Sequence, residues 1–551
     1  MLNSSRPMAP SAPPRPPLTE GPFELLVAGG GINGSAIARD AALRGKSVLL
    51  VEKDDLGQGT SSRSSKMAHG GIRYLEQLRL GLVYEALRER HYLLRNAPHL
   101  VRPQAFVLPV YEGSRRGPFL IKLGLFLYDK LALGRRPGKC RFLTREETLR
   151  RVPALRPEGL QGAGLYYDAV MDDARLVLLN ALAAEEESRA RRSEVVIRSY
   201  TEVLSLEPGS PCSALVRDKL TGRTSRVLAH HVVRALGPWT ERDHLVPSKG
   251  VHIVLPAFPM TDGLLLTHSS DGRVFFLIPW LGRTVVGTTE TTFDGSPDDL
   301  RVEPDEVEYL LGEVRRLFPG LTIRSSDILG TFAGIRPLAR GPGILRGGSP
   351  GRVSRTHRIL DSANGIVSVF GGKYTTYRSV AKEVLDRLYP GTLCTTHRLP
   401  LPGGESGPWE AFERSHRAAV AQVGRSEAER LFQRYGARLT EVAALGREDP
   451  SLAEPISPGR PETLAEVVYS VVNEHVFYPE DFLARRTSLR FTADGGRSAY
   501  DAVEEAIRRH AAVVPPDLEA ARKRYFAALE WEERLRGERG RREEHLSSTG
   551  G

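Results

Sequence analysis

The sequence is poor in cysteine, with only Cys140, Cys212 and Cys394 among its 551 residues. An odd number of widely spaced cysteines supports neither a disulfide framework nor a clustered zinc site, and it favours a reducing compartment. The chain also lacks His-x-x-x-His, Cys-x-x-Cys and acidic metal-binding loops, so we expect no metal. No run of about 18 or more apolar residues occurs, so we expect no transmembrane helix. The amino terminus lacks the apolar stretch of a secretory signal, so we expect none.

The composition is that of an ordinary globular protein. Hydrophobic residues make up 40% of the chain and charged residues 26%, which excludes wholesale disorder. The length corresponds to three or four domains at roughly 150 residues each. Lysine and arginine total 77 against 67 aspartates and glutamates, a net charge of +10. This excess suits an anionic membrane, an anionic substrate or a merely soluble surface. Nucleic acid is the weakest interpretation, because no RNA-binding type of aromatic and basic motif accompanies the charge.

Composition divides the chain into five parts. Residues 1–22 hold seven prolines with serine and alanine and are predicted to form a disordered tail. Residues 23–398 alternate strand-like apolar runs with helical periodicity and glycines, which indicates an α/β fold. Residues 399–408 are rich in proline and glycine and form a linker. Residues 409–535 have helical periodicity throughout, and 536–551 are predicted to be a tail.

A nucleotide-binding fingerprint opens the α/β region. Gly29, Gly31 and Gly34 have the G-x-G-x-x-G spacing between an apolar strand at 23–28 and a helix at 35–43. Phosphates then lie at the helix N-terminus, where free N–H groups and the helix dipole favour negative charge. Glu52 ends a second strand, where a carboxylate accepts hydrogen bonds from ribose hydroxyls. The segment predicts binding of an ADP-containing dinucleotide.

Serine and glycine after this unit favour FAD over NAD. Residues 59–66 read GTSSRSSK, hereafter the serine loop, and precede a His-Gly-Gly sequence. Hydroxyls and glycine amides therefore follow Glu52 at the end of the second strand. Such groups can line a pyrophosphate and a ribityl chain, although a serine-rich surface loop has the same composition. Two later strands, at 232–236 and 367–370, also run into glycine turns. The second turn precedes a helix start whose positive end would stabilise reduced flavin.

A set of longer motifs carries a family resemblance. In chain order they are GGGINGSAIARDAALRG, GTSSRSSKMAHGGIRYLE, APHLV, GLFLYDKLA, MDDARLVLLNA, LGPWT, VHIVLP, FLIPW, VVGTTE, AGIRPL and VFGGKYTTYR. Together they resemble the FAD-dependent, respiratory glycerol-3-phosphate dehydrogenases from about residue 23 to 402, and more weakly beyond. Residues 1–22 have no counterpart in the family. Leu236 replaces the threonine usual before Gly-Pro-Trp, and Val251 replaces a small polar residue before His252.

The resemblance implies an enzyme that oxidises sn-glycerol 3-phosphate to dihydroxyacetone phosphate. Hydride would pass from C2 to flavin N5, and electrons would then pass to a membrane quinone. The implied fold is a glutathione-reductase-type FAD-binding domain, an antiparallel-sheet substrate domain and a C-terminal helical domain. The first would be built from about residues 23–100, 160–240 and 330–390, and the second from about 101–159 and 241–329. The resemblance also implies a homodimer that is peripheral on the cytoplasmic face of the inner membrane.

We expect the cofactor to contact the fingerprint, the acidic strand end, the serine loop and the later glycine turns. These candidates are Gly29, Gly31, Asn33, Gly34, Glu52, Lys53, Thr60, Ser61, Ser62, Lys66, His69, Gly70, Gly71, Gly237, Trp239, Gly371, Gly372, Lys373 and Thr375.

A phosphate dianion needs two or more fixed cations, ideally guanidinium groups. The resemblance places Arg73, Arg336, Arg355 and Lys373 in the substrate pocket. Tyr74 lies beside Arg73 and is a candidate to hydrogen-bond the substrate, with a packed core tyrosine as the alternative. In so arginine-rich a chain, a solvated surface charge is the alternative for any single arginine.

The catalytic candidates are His252, Lys373 and Arg336. Removal of the hydroxyl proton as hydride leaves is helped by a positioned base, and a neutral histidine such as His252 can accept it. A core histidine is the alternative, and Lys373 is then the group that polarises the alcohol. Asp172 and Asp173 are expected to be structural, as helix-capping and arginine-pairing groups.

The most apolar segment comprises residues 118–130. It is too short to span a bilayer, but it suits a helix in the membrane interface with lysines at the headgroups. A buried packing helix is the alternative. Three other functions remain open at this point: a family oxidase that reduces O₂, a related flavin-dependent amine or 2-hydroxyacid oxidase, and a non-catalytic FAD-bound scaffold.

Overall fold

The computed structural model describes residues 11–191, 193–340, 356–361 and 364–548. In chain order its strands are β1 (Phe23–Ala28), β2 (Val48–Val51), β3 (Met67–Ala68), β4 (Val101–Tyr111), β5 (Arg141–Leu143), β6 (Leu160–Met171), β7 (Val195–Arg198), β8 (Thr201–Glu207), β9 (Cys212–Asp218), β10 (Thr224–Arg234), β11 (Leu245–Pro256), β12 (Gly263–Thr267), β13 (Val274–Trp280), β14 (Arg283–Gly287), β15 (Thr291–Thr292), β16 (Gly330–Ala339), β17 (Arg358–Asp361) and β18 (Ile366–Phe370). Its α-helices are α1 (Ile32–Leu43), α2 (Leu80–Asn96), α3 (Pro118–Leu131), α4 (Arg145–Arg151), α5 (Asp173–Arg191), α6 (Pro304–Leu317), α7 (Tyr377–Leu388), α8 (Trp409–Ser415), α9 (Arg417–Val423), α10 (Arg425–Tyr435), α11 (Leu439–Glu448), α12 (Leu464–Asn473), α13 (Arg497–His510) and α14 (Leu518–Ser548).

The first sheet has the order β17-β18-β10-β1-β2-β7, and β9 joins β8 to β10. β18, β10, β1, β2 and β7 are parallel neighbours. β1 and β2 are apolar along nearly their whole length because both of their faces are covered. α1 packs against α5 and α7, and its buried alanines allow a close approach. The expected α/β dinucleotide-binding unit is therefore present.

The second sheet is mainly antiparallel, in the order β15-β11-β14-β13-β12-β4-β6-β3, with β16 on β11 and β5 on β6. β6 pairs with β4 along nearly its whole length, and β16 pairs with β11 along all of it. This differs from the division expected from the sequence, which placed residues 160–171 and 330–339 in the FAD-binding domain. Both segments complete the second sheet because their strand partners are distant in the chain, where a local pattern does not reveal them.

The C-terminal helical region, α8 to α14, packs on both sheets. A buried pair joins Arg486 to Asp55 in the loop after β2, with Nη1–Oδ2 and Nη2–Oδ1 distances of 2.6 and 2.8 Å. In α5, Arg175 donates to Glu474 at 2.6 Å. α14 reaches the core of the second sheet and continues to Ser548, beyond the boundary at 535 expected from the sequence.

Residues 11–22 lie on the protein without regular secondary structure. The Arg15 side chain is 4% exposed and donates to Asp218 at 2.7 Å. Its guanidinium also lies 5.3 Å from the ring centroid of Phe477 in the helical region. This part of the proline-rich tail is thus bound to two regions of the protein, although disorder was expected for it; residues 1–10 lie outside the described residues.

Candidate active site

The nucleotide fingerprint forms the turn that its glycines predict. β1 ends at Ala28, and Gly29 turns the chain with φ of +109°, a conformation that favours glycine. A Cβ at Gly34 would overlap the Gly29 carbonyl oxygen, so this glycine lets α1 pack closely on the turn. α1 begins at Ile32, its N-cap Gly31 provides no side-chain cap, and both residues line a cavity. The positive end of α1 therefore faces the site where phosphates would bind.

Glu52 follows β2 directly and lines the same cavity. One carboxylate oxygen accepts from the Gly30 N–H at 2.6 Å and the other from the Asp54 N–H at 3.1 Å. Burial of the carboxyl group raises the pKa of Glu52 to about 7, and these two backbone donors oppose the rise only in part. Ribose hydroxyls are further donors that would favour the ionised form, so the position fits a nucleotide.

The cavity has a volume of about 640 Å³ and lies between the carboxyl ends of the parallel strands and the second sheet. Open α/β sheets bind their ligands at this edge. The serine loop closes one side, because Thr60 Oγ1 donates to the Ile335 carbonyl at 2.6 Å. Ser61 Oγ accepts from the Ile32 N–H at 3.0 Å. Hydroxyls and glycine amides are thus fixed beside the α1 N-terminus, and these residues fit an elongated dinucleotide such as FAD.

Most of the predicted cofactor residues meet in this cavity. Those that line it are Gly29, Gly31, Asn33, Glu52, Lys53, Thr60, Ser61, His69, Gly71, Gly237, Trp239, Gly371, Gly372, Lys373 and Thr375. Gly34, Ser62, Lys66 and Gly70 do not line it, and contact of these four residues with a cofactor stays a prediction. The buried Lys66 amine donates to a carboxylate oxygen of Asp173 and to the Ser62 carbonyl, each at 2.6 Å. Lys66 therefore anchors the serine loop to Asp173 without lining the cavity.

Three of the predicted substrate cations also line the cavity. They are Arg73, Arg336 and Lys373, and Tyr74 accompanies them. The Lys373 ammonium lies 3.8 Å from the centroid of the Tyr74 ring, so the ring holds the amine in place. Arg355, the fourth predicted cation, lies outside the described residues. The cavity therefore combines a nucleotide cradle with concentrated positive charge.

His252 lies on β11 and lines the cavity, but only 2% of its surface is exposed. Its Nε2 is 2.9 Å from Ser65 Oγ, and its ring stacks on Phe332 with a centroid distance of 4.7 Å. Burial lowers the pKa of His252 well below the ordinary value, and the positive charges of Arg336 and Lys66 lower it further. The imidazole is therefore neutral at pH 7 and able to accept a proton.

Sequence reasoning missed the groups that hold these side chains. Arg336 Nη2 donates to Thr288 Oγ1 at 2.8 Å, and Gly250 leaves space for the guanidinium because a Cβ there would come within 2.5 Å of it. Ser65 stands in the GTSSRSSK motif, but nothing in its local sequence distinguishes it from its neighbours. Its partner His252 is 187 residues away, and only the folded chain brings the two together.

The two aspartates of the MDDAR motif divide their roles. Asp172 Oδ1 accepts from the Arg175 N–H at 3.1 Å and caps α5, as expected. Asp173 pairs with Lys66 rather than with an arginine, and it also accepts from Ser64 Oγ at 2.7 Å. The second aspartate therefore fixes the serine loop.

Comparison with known proteins assigns both halves of the chain. Residues 24–378 match the family model of FAD dependent oxidoreductases, and residues 394–513 match the C-terminal domain of alpha-glycerophosphate oxidase. A glycerol-3-phosphate dehydrogenase from Synechocystis sp. is 35% identical over 524 residues, which cover 89% of this chain and 93% of that protein. An aerobic glycerol-3-phosphate dehydrogenase from Staphylococcus haemolyticus is 34% identical over 522 residues, which cover 88% and 90%.

A solved structure agrees with these relatives. The glycerol-3-phosphate dehydrogenase from Bacillus halodurans, in complex with FAD, is similar with a TM-score of 0.74 and 28% identity. The similarity covers 94% of this chain and 95% of that one. The FAD-dependent fold and the resemblance found in the motifs are thereby confirmed. The chain belongs to the family of FAD-dependent glycerol-3-phosphate dehydrogenases.

Proposed function

We propose that this protein oxidises sn-glycerol 3-phosphate to dihydroxyacetone phosphate. The observation that carries the proposal is one cavity that holds a dinucleotide cradle, the predicted substrate cations Arg73, Arg336 and Lys373, and a neutral histidine. Bound FAD supplies the hydride acceptor at N5. The protein's own residues must then bind the phosphate, orient C2 and take the hydroxyl proton.

Arg336, Arg73 and Lys373 are suited to bind the phosphate dianion. A guanidinium group presents paired N–H donors that match phosphate oxygens, and a lysine adds a compact charge. Arg336 is held by Thr288 and Lys373 by Tyr74, so less side-chain entropy is lost when substrate binds. A polyol without phosphate lacks the group that these cations recognise.

His252 is our first choice for the base, and Lys373 remains the alternative group that polarises the alcohol. The neutral imidazole has an unprotonated nitrogen at pH 7. A cation near the C2 oxygen would stabilise the negative charge that develops there during the reaction. Experiments can distinguish the two assignments, because loss of the base removes a proton acceptor and loss of the polarising cation does not.

A substrate panel tests the proposal. Reduction of an artificial acceptor dye is measured with sn-glycerol 3-phosphate, glycerol, sarcosine and lactate. We expect turnover with sn-glycerol 3-phosphate and at least about tenfold lower kcat/KM for the others, since a hydrogen bond to a charged group contributes about 1.5–3 kcal/mol. Preference for sarcosine or lactate would favour the amine or hydroxyacid oxidase alternative instead.

For the electron acceptor we propose a quinone in an anionic membrane, reached through one surface of the molecule. The buried face of α3 holds Ile121, Leu125 and Tyr128. Its outer face and the neighbouring turns expose large apolar side chains, hereafter the α3 surface: Leu78, Leu80, Phe119, Leu120, Leu123, Phe126 and Leu133. Across the described residues, no helix has the length and apolarity needed to cross a bilayer.

Charge beside the α3 surface supports an anionic membrane as its partner. Phe119 is 81% exposed, and Lys122 and Lys130 lie on the same helix. Arg116 stands just before α3 and also lines the cavity, so the surface and the active site are adjacent. Exposed apolar side chains with neighbouring cations suit the interface of an anionic bilayer. We propose the cytoplasmic face of the inner membrane as the place of this contact, as the family resemblance implies.

Vesicle binding tests this partner. Phe119→Ser with Phe126→Ser should lower binding to phosphatidylglycerol vesicles by at least about tenfold, because each buried phenylalanine contributes roughly 1.5–3 kcal/mol. Leu393→Ser is the matched control, since Leu393 is 83% exposed but lies outside the α3 surface. Equal binding of all variants would contradict the proposal.

Two further proposals accompany this function. A quinone acceptor predicts dye and quinone reduction with little peroxide, whereas rapid peroxide release in air would favour the O₂-reducing alternative. The match of residues 394–513 to a domain named from an oxidase keeps that alternative under test. We also propose a homodimer, which sedimentation of the FAD-loaded protein would establish or exclude.

A further inference from the structure

We propose that Ser65 is a catalytic residue that carries the proton from the substrate hydroxyl to His252, an inference that rests on the proposed function. Ser65 lines the cavity, and its hydroxyl oxygen lies 2.9 Å from His252 Nε2. The histidine therefore meets a serine hydroxyl at the nitrogen that a substrate would otherwise use.

The burial of His252 limits how a substrate can reach it. Its Nδ1 atom is buried and has no hydrogen-bond partner among the described residues. Phe332 stacks on the imidazole, and Gly287 packs so closely that a Cβ there would overlap the ring. These contacts restrict rotation of the ring, and Nε2 is already in contact with Ser65. Transfer through the Ser65 hydroxyl would let a substrate in the cavity pass its proton to the buried imidazole.

The serine loop fixes Ser65 from both sides. Before it, Ser64 donates to Asp173 through Oγ at 2.7 Å and through its backbone N–H at 3.2 Å. After it, the Lys66 amine donates to the other Asp173 oxygen at 2.6 Å. One buried carboxylate thus holds both neighbours of Ser65, and the hydroxyl is held at a defined position beside His252.

The proposed step balances in atoms and charge. The alcohol is oxidised by two electrons as hydride leaves C2 for the bound flavin, which is reduced by two electrons. The hydroxyl proton passes to Ser65 Oγ while the proton of Ser65 moves to His252 Nε2, and the O–H electron pair completes the ketone. His252 gains one proton, and Ser65 ends as a neutral hydroxyl.

The charged groups nearby permit this transient imidazolium. Burial opposes a positive charge on His252 most strongly, and Arg336 and Lys66 oppose it further. Lys66 is already paired with Asp173, and a substrate phosphate on Arg336 would offset the second charge. Bound substrate would therefore make proton acceptance by His252 less unfavourable.

The hydrogen bond itself is tested by NMR on the oxidised, FAD-loaded protein without substrate. Histidine is labelled with ¹⁵N, and the His252 signals are assigned by their loss in His252→Asn. We expect an unprotonated Nε2 whose resonance moves in Ser65→Ala and is retained in Ser65→Thr, which keeps the hydroxyl. The proposal is overturned if Nε2 is protonated, or if its resonance is the same in Ser65→Ala as in the wild type.

Kinetics test the relay. In anaerobic stopped flow, Ser65→Ala should slow flavin reduction by sn-glycerol 3-phosphate by about tenfold or more, within the range of proton-transfer catalysis. The substrate concentration that gives half of the maximal reduction rate should change little, and Ser65→Ala should have no additional effect in a His252→Asn background. Ser205→Ala is the matched control, since Ser205 undergoes the same substitution but is exposed on β8 and does not line the cavity. FAD content and the melting temperature of each variant exclude misfolding as the cause.

The outcomes separate the two proposals. If the wild type is not reduced by sn-glycerol 3-phosphate, the proposed function fails and the relay fails with it. If the wild type is reduced and Ser65→Ala is reduced equally fast, only the relay is overturned.

Discussion

Arg336 shows how a binding residue depends on the groups that hold it. Its guanidinium donates to Thr288 Oγ1 and occupies space that Gly250 leaves open. We expect Arg336→Met to raise KM for sn-glycerol 3-phosphate roughly 10- to 150-fold, since a hydrogen bond to a charged group contributes about 1.5–3 kcal/mol. FAD content should not change. Thr288→Val, which removes only the anchor, should have a smaller effect, and an unchanged KM in Arg336→Met would contradict the phosphate assignment.

Glu52 gives a prediction in pH. Its pKa in the folded protein is raised from 4.5 to about 7, so the folded state retains a proton that the unfolded state loses. The free energy of unfolding of FAD-free protein should therefore fall as pH rises from 4.5 to 7, by at most about 3 kcal/mol from this group. Urea titrations should show a weaker decline for Glu52→Gln, together with weaker FAD binding. Glu202→Gln, at another acid of the cavity lining, is the control and should keep the wild-type decline.

Among the elements, the segment 11–22 joins parts of the fold that are far apart in the chain. Arg15 is almost fully buried between Asp218 and Phe477. Arg15→Ala should lower the free energy of unfolding by about 2 kcal/mol, because it removes a hydrogen-bonded charge pair. Arg217→Ala is the matched control: the side chains of Arg217 and its partner Glu202 are 50% and 37% exposed, so a loss within about 0.5 kcal/mol is expected. Equal losses in urea denaturation would show that the buried Arg15 pair contributes no more stability than a surface pair.

The whole molecule is held together by buried charge between its regions. Asp55 accepts from Arg485 and Arg486, and these side chains are almost inaccessible to water. Arg486→Met should destabilise the protein by about 3–5 kcal/mol, since it leaves part of the Asp55 charge unpaired. Arg509→Met, at an exposed pair with Glu505, should cost about 0.5 kcal/mol or less. Calorimetry compares the two, and equal melting temperatures would argue against this junction.

Local patterns predicted the strand, turn and helix around Gly29 better than they predicted the sheets. The strand, turn and helix around Gly29 are contiguous in sequence, and a Cβ at Gly29 or Gly34 would overlap nearby backbone atoms. Sheet membership of β6 and β16 depends on partners far along the chain, which apolar patterning cannot identify. The contact of Ser65 with His252 and that of Lys66 with Asp173 also join residues far apart in the chain, so local patterns could not predict them. Long-range pairing, rather than composition, decided these features.

The most direct test of the account is an anaerobic titration of the purified yellow protein with sn-glycerol 3-phosphate. The account predicts loss of the flavin absorbance near ~450 nm, because bound FAD accepts the hydride. Glycerol at the same concentration should leave the spectrum unchanged. A flavin that stays oxidised with sn-glycerol 3-phosphate would contradict the central claim, whatever else the protein binds.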